Sequence, residues 1–155
     1  MRQGRLGMAI RFPDVADDCI PRTRGLIMTE LSKDTPTVYL LDDDASVLKA
    51  TRRLLDSVGW NVEAFTDPTA FLGNAARHSP SVAVIDIRMP EMNGLDVQKH
   101  LRRVAPSTRI IVLTSKDDPA VRTTAMNAGA YAFFIKGVDN REFLARIKAA
   151  ADSRN

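Results

Sequence analysis

From residue 37 onward, five short strand-like segments alternate with five stretches whose apolar residues recur at helical spacing. In one-letter code the strand-like segments are TVYLL, WNVEAF, SVAVID, RIIVLT and YAFFIK. Apolar strands that alternate with amphipathic helices indicate a parallel sheet covered by helices on both faces. The pattern therefore predicts an α/β protein with a doubly wound five-stranded parallel sheet, built from five strand–helix units, (βα)5.

The intervening stretches carry signals for where helices begin and end. Asp67 and Pro68 are typical of an N-cap and a first helical position, and Gly59 is typical of a helix end. Helical periodicity directs Val58 and Val104 toward the core. Five strands in a chain of this length predict the order 2-1-3-4-5 and a flavodoxin-like single domain.

Composition excludes several classes of protein. The 155 residues are 45% hydrophobic and 26% charged, which is ordinary for one globular domain. The single cysteine, Cys19, rules out an intrachain disulfide, and no apolar run is long enough to span a membrane. The net charge of +3 is spread along helical stretches, as at Arg52–Arg53 and Arg102–Arg103. We therefore expect a cytoplasmic protein with no membrane contact and no direct binding to nucleic acid.

Domain boundaries follow from where the alternation starts and stops. Residues 1–35 mix Gly, Pro, Arg and Asp without a sustained period, and they are predicted to be a poorly ordered N-terminal extension. The folded domain is predicted over residues 36–151, with a tail at residues 152–155.

Polar side chains stand at the end of four of the five predicted strands or directly after it. Because binding sites in open α/β sheets form at the carboxyl ends of the strands, these residues are expected to meet at one edge. They are Asp42, Asp43, Asp44, Asp86, Thr114 and Lys136.

The residue types at this edge suit phosphoryl chemistry. Clustered carboxylates repel one another and favour a cation, and oxygen ligands select a hard ion such as Mg2+. A carboxylate such as that of Asp86 can act as a nucleophile and form an acyl phosphate. Lys136 and Thr114 could neutralise and bind the phosphoryl oxygens. Asp44 has the alternative role of capping the following helix.

The motifs LLDDD, VIDIRMPEMNGLD, VLTS and FFIK resemble those of response regulator receiver domains, the CheY-like family of two-component systems. The resemblance covers roughly residues 36–151 and implies a role for each matching residue. Asp86 corresponds to the phosphoacceptor, and Thr114 and Lys136 correspond to the hydroxyl and the lysine that contact the phosphoryl group. The Mg2+ ligands implied are carboxylates of Asp42, Asp43 and Asp86 and the backbone carbonyl of Arg88.

The resemblance also implies a function and its partners. A sensor histidine kinase or a phosphotransfer protein would supply the phosphoryl group, and the chain would be a switch and not an enzyme. Thr114 and Phe133 would then move and reshape the face made by the fourth helix, fifth strand and last helix, which could form a homodimer. We expect a stand-alone receiver, most similar in style to receivers of LuxR-type regulators. The alternative is a degenerate receiver that binds partners without phosphorylation.

Three positions bear on how the site would work, and two features argue against other classes of protein. Gly137 replaces the proline that usually follows the lysine, which predicts a looser loop. Arg88 and Lys116, which border the phosphoryl site, are both basic, and we expect a long-lived phosphorylated form. Arg88 also argues against a haloacid-dehalogenase-type phosphatase, which places a second aspartate there. The acidic segment DDDAS argues against a flavin-phosphate loop.

Overall fold

The structure, a computed structural model, describes residues 36–153, so the predicted extension over residues 1–35 lies outside the described part. Five strands and five helices alternate along the described chain. The strands are β1 (Thr37–Leu41), β2 (Asn61–Phe65), β3 (Val82–Ile85), β4 (Arg109–Thr114) and β5 (Ala132–Ile135). The helices are α1 (Ala45–Ser57), α2 (Pro68–His78), α3 (Gly94–Val104), α4 (Pro119–Asn127) and α5 (Asn140–Asp152).

The strands form one parallel sheet in the order β2-β1-β3-β4-β5, which confirms the predicted fold class. The register places the carboxyl ends of the central strands side by side. Leu41 at the end of β1 pairs with Ile85 at the end of β3, and Thr114 of β4 pairs with Ile135 of β5. Residues that follow these strands therefore emerge along the same edge.

Alternate residues of β1 divide the core between the two faces of the sheet. Val38 and Leu40 pack in one apolar cluster with Leu55 of α1 and with residues of α5. Tyr39 and Leu41 pack in a second cluster with residues of α2 and α3. All four side chains of β1 named here are buried. This two-sided burial is the physical reason why most of the strands read as continuous apolar runs.

Four of the five helices described have an N-cap residue whose side chain accepts a hydrogen bond from the first turn. The Asp67 carboxylate accepts from the Thr69 N–H at 3.0 Å, as the sequence predicts, and Asn93 and Asp118 cap α3 and α4 in the same way. In the described residues, no helix is long and apolar enough to cross a membrane.

Two predicted core positions are wrong. Val58 is 55% exposed and Val104 is 41% exposed. Val58 is the C-cap of α1, and Val104 is the last residue of α3, one position before the buried Ala105. Helical periodicity predicts on which side of a helix a residue lies, but it does not predict where the helix ends and its side chains become exposed.

Candidate functional site

Backbone hydrogen bonds hold the site residues at the edge of the sheet, one position beyond the ends of their strands. The Asp86 N–H donates to the Leu41 carbonyl at 3.0 Å, and the Lys136 N–H donates to the Thr114 carbonyl at 2.7 Å. The Asp42 N–H donates to a carbonyl of β2 at 3.2 Å. These bonds continue the ladder, so the sheet itself fixes where each functional side chain starts.

The Lys136 ammonium lies between two buried carboxylates. Its Nζ atom is 2.8 Å from Oδ2 of Asp42 and 3.5 Å from Oδ2 of Asp86. The side chains of Asp42 and Asp86 are almost completely shielded from solvent, at 7% and 4% exposed. The structure thus brings together three of the predicted site residues, with the shorter contact at Asp42.

Burial and charge shift the ionisation of this cluster. Burial, followed by repulsion from Asp42, raises the pKa of Asp86 to about 6, against the opposing effects of Lys136 and of the Arg88 N–H. Burial works to lower the pKa of Lys136, but hydrogen bonds and charge from the two carboxylates outweigh it and leave that pKa raised. Lys136 is therefore a cation near neutral pH, whereas burial makes the charged form of Asp86 less favourable than that of a free carboxylate.

The acidic cluster fits a hard divalent cation. Asp42, Asp43 and Asp86 each offer a carboxylate oxygen, and these atoms all lie within 4.8 Å of one another. Three carboxylates face a single ammonium, so the charge is unbalanced, and an ion that prefers oxygen ligands would balance it. The Arg88 N–H donates to Oδ1 of Asp86 at 3.3 Å, which keeps this backbone at the site. Ligation by the Arg88 carbonyl stays a prediction.

Asp44 does not join the cluster. Its carboxylate accepts from the N–H groups of Ser46 and Val47 at 2.9 and 3.4 Å and caps α1. Its own N–H donates to Asp42 at 2.9 Å and helps to orient that carboxylate. Of the two roles that the sequence leaves open for Asp44, the structure shows the cap.

Thr114 opens onto a cleft beside the acidic cluster. The cleft has a volume of about 460 Å³, and its lining includes Thr114, Arg88 and Lys116. Thr114 is 1% exposed, whereas Arg88 and Lys116 are exposed. Phe133 is buried in a separate cluster that contains Val112 and Ala125. Both residues predicted to act as a switch are thus buried in the structure.

Arg122 is a residue that the sequence analysis misses. Its guanidinium carbon lies 4.7 Å from the centroid of the Phe133 ring, and its Nη2 atom is 3.4 Å from Asp117. Arg122 precedes the buried Ala125 by three positions, so helical spacing places it on the same side of α4 as that residue. That spacing is the signal that could have found it.

Gly94 brings the start of α3 against the end of β3 and the residues that follow it. A Cβ atom at this position would lie 2.7 Å from the Ile87 Cα atom and still closer to the Asp86 carbonyl oxygen. The Gly94 N–H donates to the Ile87 carbonyl at 2.9 Å. Only glycine permits this approach, so Gly94 shapes the backbone at Asp86.

Fold and site together define a doubly wound α/β protein with an acidic, cation-compatible site at the carboxyl edge of its sheet. Within that class, the chain belongs to the response regulator receiver domain family, whose model matches residues 38–148. It is 37% identical over 123 residues to the response regulator protein TodT of Pseudomonas putida, covering 79% of this chain and 54% of TodT. It is 36% identical over 113 residues to TmoT of Ectopseudomonas mendocina, covering 73% and 51%.

Solved structures agree with this assignment. The CheY-like receiver domain protein from Methanospirillum hungatei JF-1 superposes with a TM-score of 0.73 at 26% identity, covering 77% of this chain and 95% of that protein. The beryllofluoride-activated NtrC4 receiver dimer shares the fold, with a TM-score of 0.73 at 23% identity, covering 77% and 98%. The chain spans about half the length of the curated relatives it matches.

Proposed function

We propose that Asp86 accepts a phosphoryl group from a sensor histidine kinase or a phosphotransfer protein. The observation that carries the proposal is the placement of the buried Asp86 carboxylate beside one ammonium and within 4.8 Å of two further carboxylate oxygens. In-line displacement at phosphorus requires a fixed nucleophile with positive charge beside it, which the ammonium and a cation held by the carboxylates would supply.

The transfer itself is a simple exchange of bonds. A carboxylate oxygen of Asp86 attacks phosphorus, an O–P bond forms, and the donor's N–P or O–P bond breaks with its electron pair leaving on the donor. The Lys136 ammonium, 3.5 Å from Asp86, would neutralise charge on the transferred group. Lys136 and Asp86 keep this relationship because both are anchored through the backbone to neighbouring strands.

Mg2+ is the cofactor we propose, with Asp42, Asp43, Asp86 and the Arg88 carbonyl as its protein ligands. When bound, the ion would shield charge on the phosphoryl oxygens. The chain's own contribution is to hold two of the carboxylates in a buried pair. A buried pair of this kind is poorly balanced by one lysine, so it is prepared for a second cation.

Phosphorylation would act through Thr114 and Phe133. We propose that Thr114 moves toward the phosphoryl group and Phe133 turns, which changes the face formed by α4, β5 and α5. That face would bind a partner or a second copy of the chain. Met126 of α4 is 41% exposed, so this helix offers an apolar side chain to a partner.

The wider setting is also part of the proposal. The chain would work in the cytoplasm as a phosphorylation-controlled switch and not as an enzyme, and its own contacts would be with proteins and not with nucleic acid or membrane. Segments such as IRMPEMNGLDVQKHL support a likeness to receivers of LuxR-type regulators. Whether it acts alone or within a longer regulator is a separate question, for which the stand-alone receiver is our expectation.

A slow loss of the phosphoryl group is expected as well. Arg88 and Lys116 lie along the cleft next to Thr114, where an attacking water would have to be held. Neither side chain is a hydrogen-bond acceptor, so neither orients a water for attack on phosphorus. The half-life of the phosphorylated form, followed after removal of the donor, tests this, and loss within seconds would contradict it.

Phosphoryl incorporation from acetyl phosphate with Mg2+ tests the central proposal, read by phosphate-affinity electrophoresis and intact mass. Wild type should gain one phosphoryl group, and Asp86→Asn or EDTA should abolish the gain. Asp139→Asn is the matched control, because Asp139 is an exposed acid whose side chain makes no capping hydrogen bond. Incorporation that survives Asp86→Asn would refute the assignment of the acceptor. Absence of incorporation from both acetyl phosphate and kinases would favour the phosphorylation-independent binding module.

A further inference from the structure

The lysine of the site belongs to a tight turn that leaves β5. Lys136 is the second and Gly137 the third residue of this turn, which the Val138 N–H closes by donating to the Ile135 carbonyl at 3.1 Å. The Lys136 N–H is itself held by the Thr114 carbonyl at 2.7 Å. The backbone of Lys136 is therefore fixed by a hydrogen bond to the sheet and by the closed turn that follows.

The turn requires a residue with positive φ at its third position. Gly137 has φ +96°, a region that side-chain-bearing residues rarely adopt. Proline is excluded, since its ring holds φ near −65°. A Cβ atom at Gly137 would meet nothing within 4 Å, so the demand for glycine comes from the backbone and not from crowding. The turn is closed by a hydrogen bond in the structure, and the looser loop predicted from the sequence stays a prediction.

We propose that Gly137 is a positioning residue that aims the Lys136 ammonium into the gap between Asp42 and Asp86. A residue that shifts φ at position 137 away from positive values opens the turn closed by the Val138 N–H, so Lys136 loses the restraint on its C-terminal side and its side chain can shift. The ammonium stands 2.8 Å from one carboxylate and 3.5 Å from the other, so a small rotation breaks at least one contact. The expected slowing of phosphoryl transfer rests on the proposed function, whereas the expected position of the ammonium does not.

Gly59 is a matched control within the same chain. It has φ +95°, and a Cβ atom there would also meet nothing within 4 Å. Gly59 follows the C-cap of α1 and is not among the residues of the acidic site. Gly137→Ala and Gly59→Ala therefore impose the same kind of backbone strain, but only the first alters the turn that carries Lys136.

The experiment compares Gly137→Ala, Gly137→Asn and Gly59→Ala in the full chain with two readouts. The first is the rate of phosphoryl uptake from acetyl phosphate with Mg2+. We expect Gly137→Ala to slow it by on the order of tenfold to a hundredfold, as for other small misplacements of a reacting group. Gly59→Ala should leave the rate unchanged. Gly137→Asn should recover much of the rate, because asparagine tolerates positive φ.

The second readout needs neither donor nor Mg2+. The Lys136 ammonium, held by two carboxylates, should give a resolved 1H–15N correlation in EDTA that Lys136→Arg removes and thereby assigns. Gly137→Ala should shift or abolish this signal, whereas Gly59→Ala and Gly137→Asn should keep it. Equal effects of the two alanine variants on both readouts, or no effect of either, would overturn the proposal. If wild type takes up no phosphoryl group, the proposed function fails while the ammonium signal still decides the role of Gly137.

Discussion

Lys136 contacts Asp42 more closely than Asp86, with Nζ–Oδ2 distances of 2.8 and 3.5 Å. One ammonium therefore serves two buried carboxylates, and the nearer carboxylate is not the proposed acceptor. The proposed acceptor has the longer contact with the lysine, so its oxygen would be the more available of the two to a phosphoryl donor. The same arrangement makes the stability of the domain depend on the charge state of this edge.

Replacement of Lys136 by methionine should destabilise the domain near neutral pH. Asp42 and Asp86 would be left buried without their cation, and we expect a loss of about 1–3 kcal/mol in the free energy of unfolding. Mg2+ should recover part of this lost free energy, and so should a lower pH, because both reduce the repulsion between the two carboxylates. Urea denaturation in EDTA and in Mg2+ measures this. Lys148→Met is the control, because the Lys148–Asp152 pair is exposed and should contribute less than about 0.5 kcal/mol. Equal losses in both variants would contradict the prediction.

The raised pKa of Asp86 predicts a pH-dependent stability. The folded chain holds the Asp86 proton up to about pH 6, whereas the unfolded chain releases it near 3.8. Between these values the folded state binds more protons, so stability falls as pH rises through this window and stays lower above it. Asp86→Asn cannot ionise and should escape this loss.

We therefore expect Asp86→Asn to be more stable than wild type by about 1–2 kcal/mol above pH 7 in EDTA. The difference should vanish near pH 4, where the wild-type carboxyl is protonated in the folded state. Urea midpoints measured across this pH range provide the test, with Asp139→Asn as an exposed-acid control. A constant difference at every pH would show that Asp86 carries no raised pKa.

A methyl group at Gly94 should disrupt the backbone at Asp86 and Ile87. The Cβ atom of Gly94→Ala would press on the Ile87 Cα atom at 2.7 Å and on the Asp86 carbonyl, which is backbone and cannot rotate away. We expect a loss of about 2 kcal/mol or more and a marked fall in phosphoryl uptake. Gly73→Ala is the matched helical control, since its nearest atom would be Arg77 Nη1 at 3.9 Å.

Gly73→Ala should stabilise the domain by about 0.5–1 kcal/mol, because alanine is the better helix former. Thermal or urea unfolding of the two variants, side by side with their uptake of phosphate, separates the steric effect from helix propensity. If Gly94→Ala behaves like Gly73→Ala, the close approach of α3 to Asp86 is not a constraint on the site.

Much of the site could be predicted because the sheet is parallel. Apolar runs mark the buried strands, and parallel pairing brings the residues after β1, β3, β4 and β5 to one edge. This reasoning places Asp42, Asp86, Thr114 and Lys136 together without knowledge of any distance. It also predicts an acidic cluster, which the structure shows as three carboxylates, while the identity of the ion stays a prediction.

The sequence does not predict where a helix loses its cover or which side chains of two neighbouring elements come into contact. Val58 and Val104 keep the helical period but are exposed at the C-terminal ends of their helices. The shorter contact of Lys136 with Asp42 is a distance that no sequence pattern gives, and the positive φ of Gly137 is a property of the folded backbone. The contact of Arg122 with Phe133 joins a helix to a neighbouring strand, and periodicity gives a direction but not a partner.

That contact leads to a prediction about the switch. The Arg122 guanidinium covers the Phe133 ring at 4.7 Å and is tied to Asp117 in the loop that follows Thr114. Arg122 thus links the loop of one predicted switch residue to the ring of the other. Because the interaction favours the ring position in the structure, Arg122→Gln should weaken it by about 0.5–1 kcal/mol and make the Phe133 ring more accessible.

A double-mutant cycle with Arg122→Gln and Phe133→Leu measures the coupling in urea unfolding, and we expect a coupling energy of about 0.5–1 kcal/mol. The matched cycle pairs Arg146 with Phe134, where the guanidinium carbon is 5.8 Å from the ring centroid and the coupling should be smaller. Fluorine NMR of fluorophenylalanine-labelled chain, with Phe133→Leu to assign the signal, reports the exposure of the ring. A larger exposed population in Arg122→Gln without phosphate would mean that the arginine restrains the turning of Phe133. Zero coupling together with an unchanged fluorine signal would mean that the guanidinium only covers the ring.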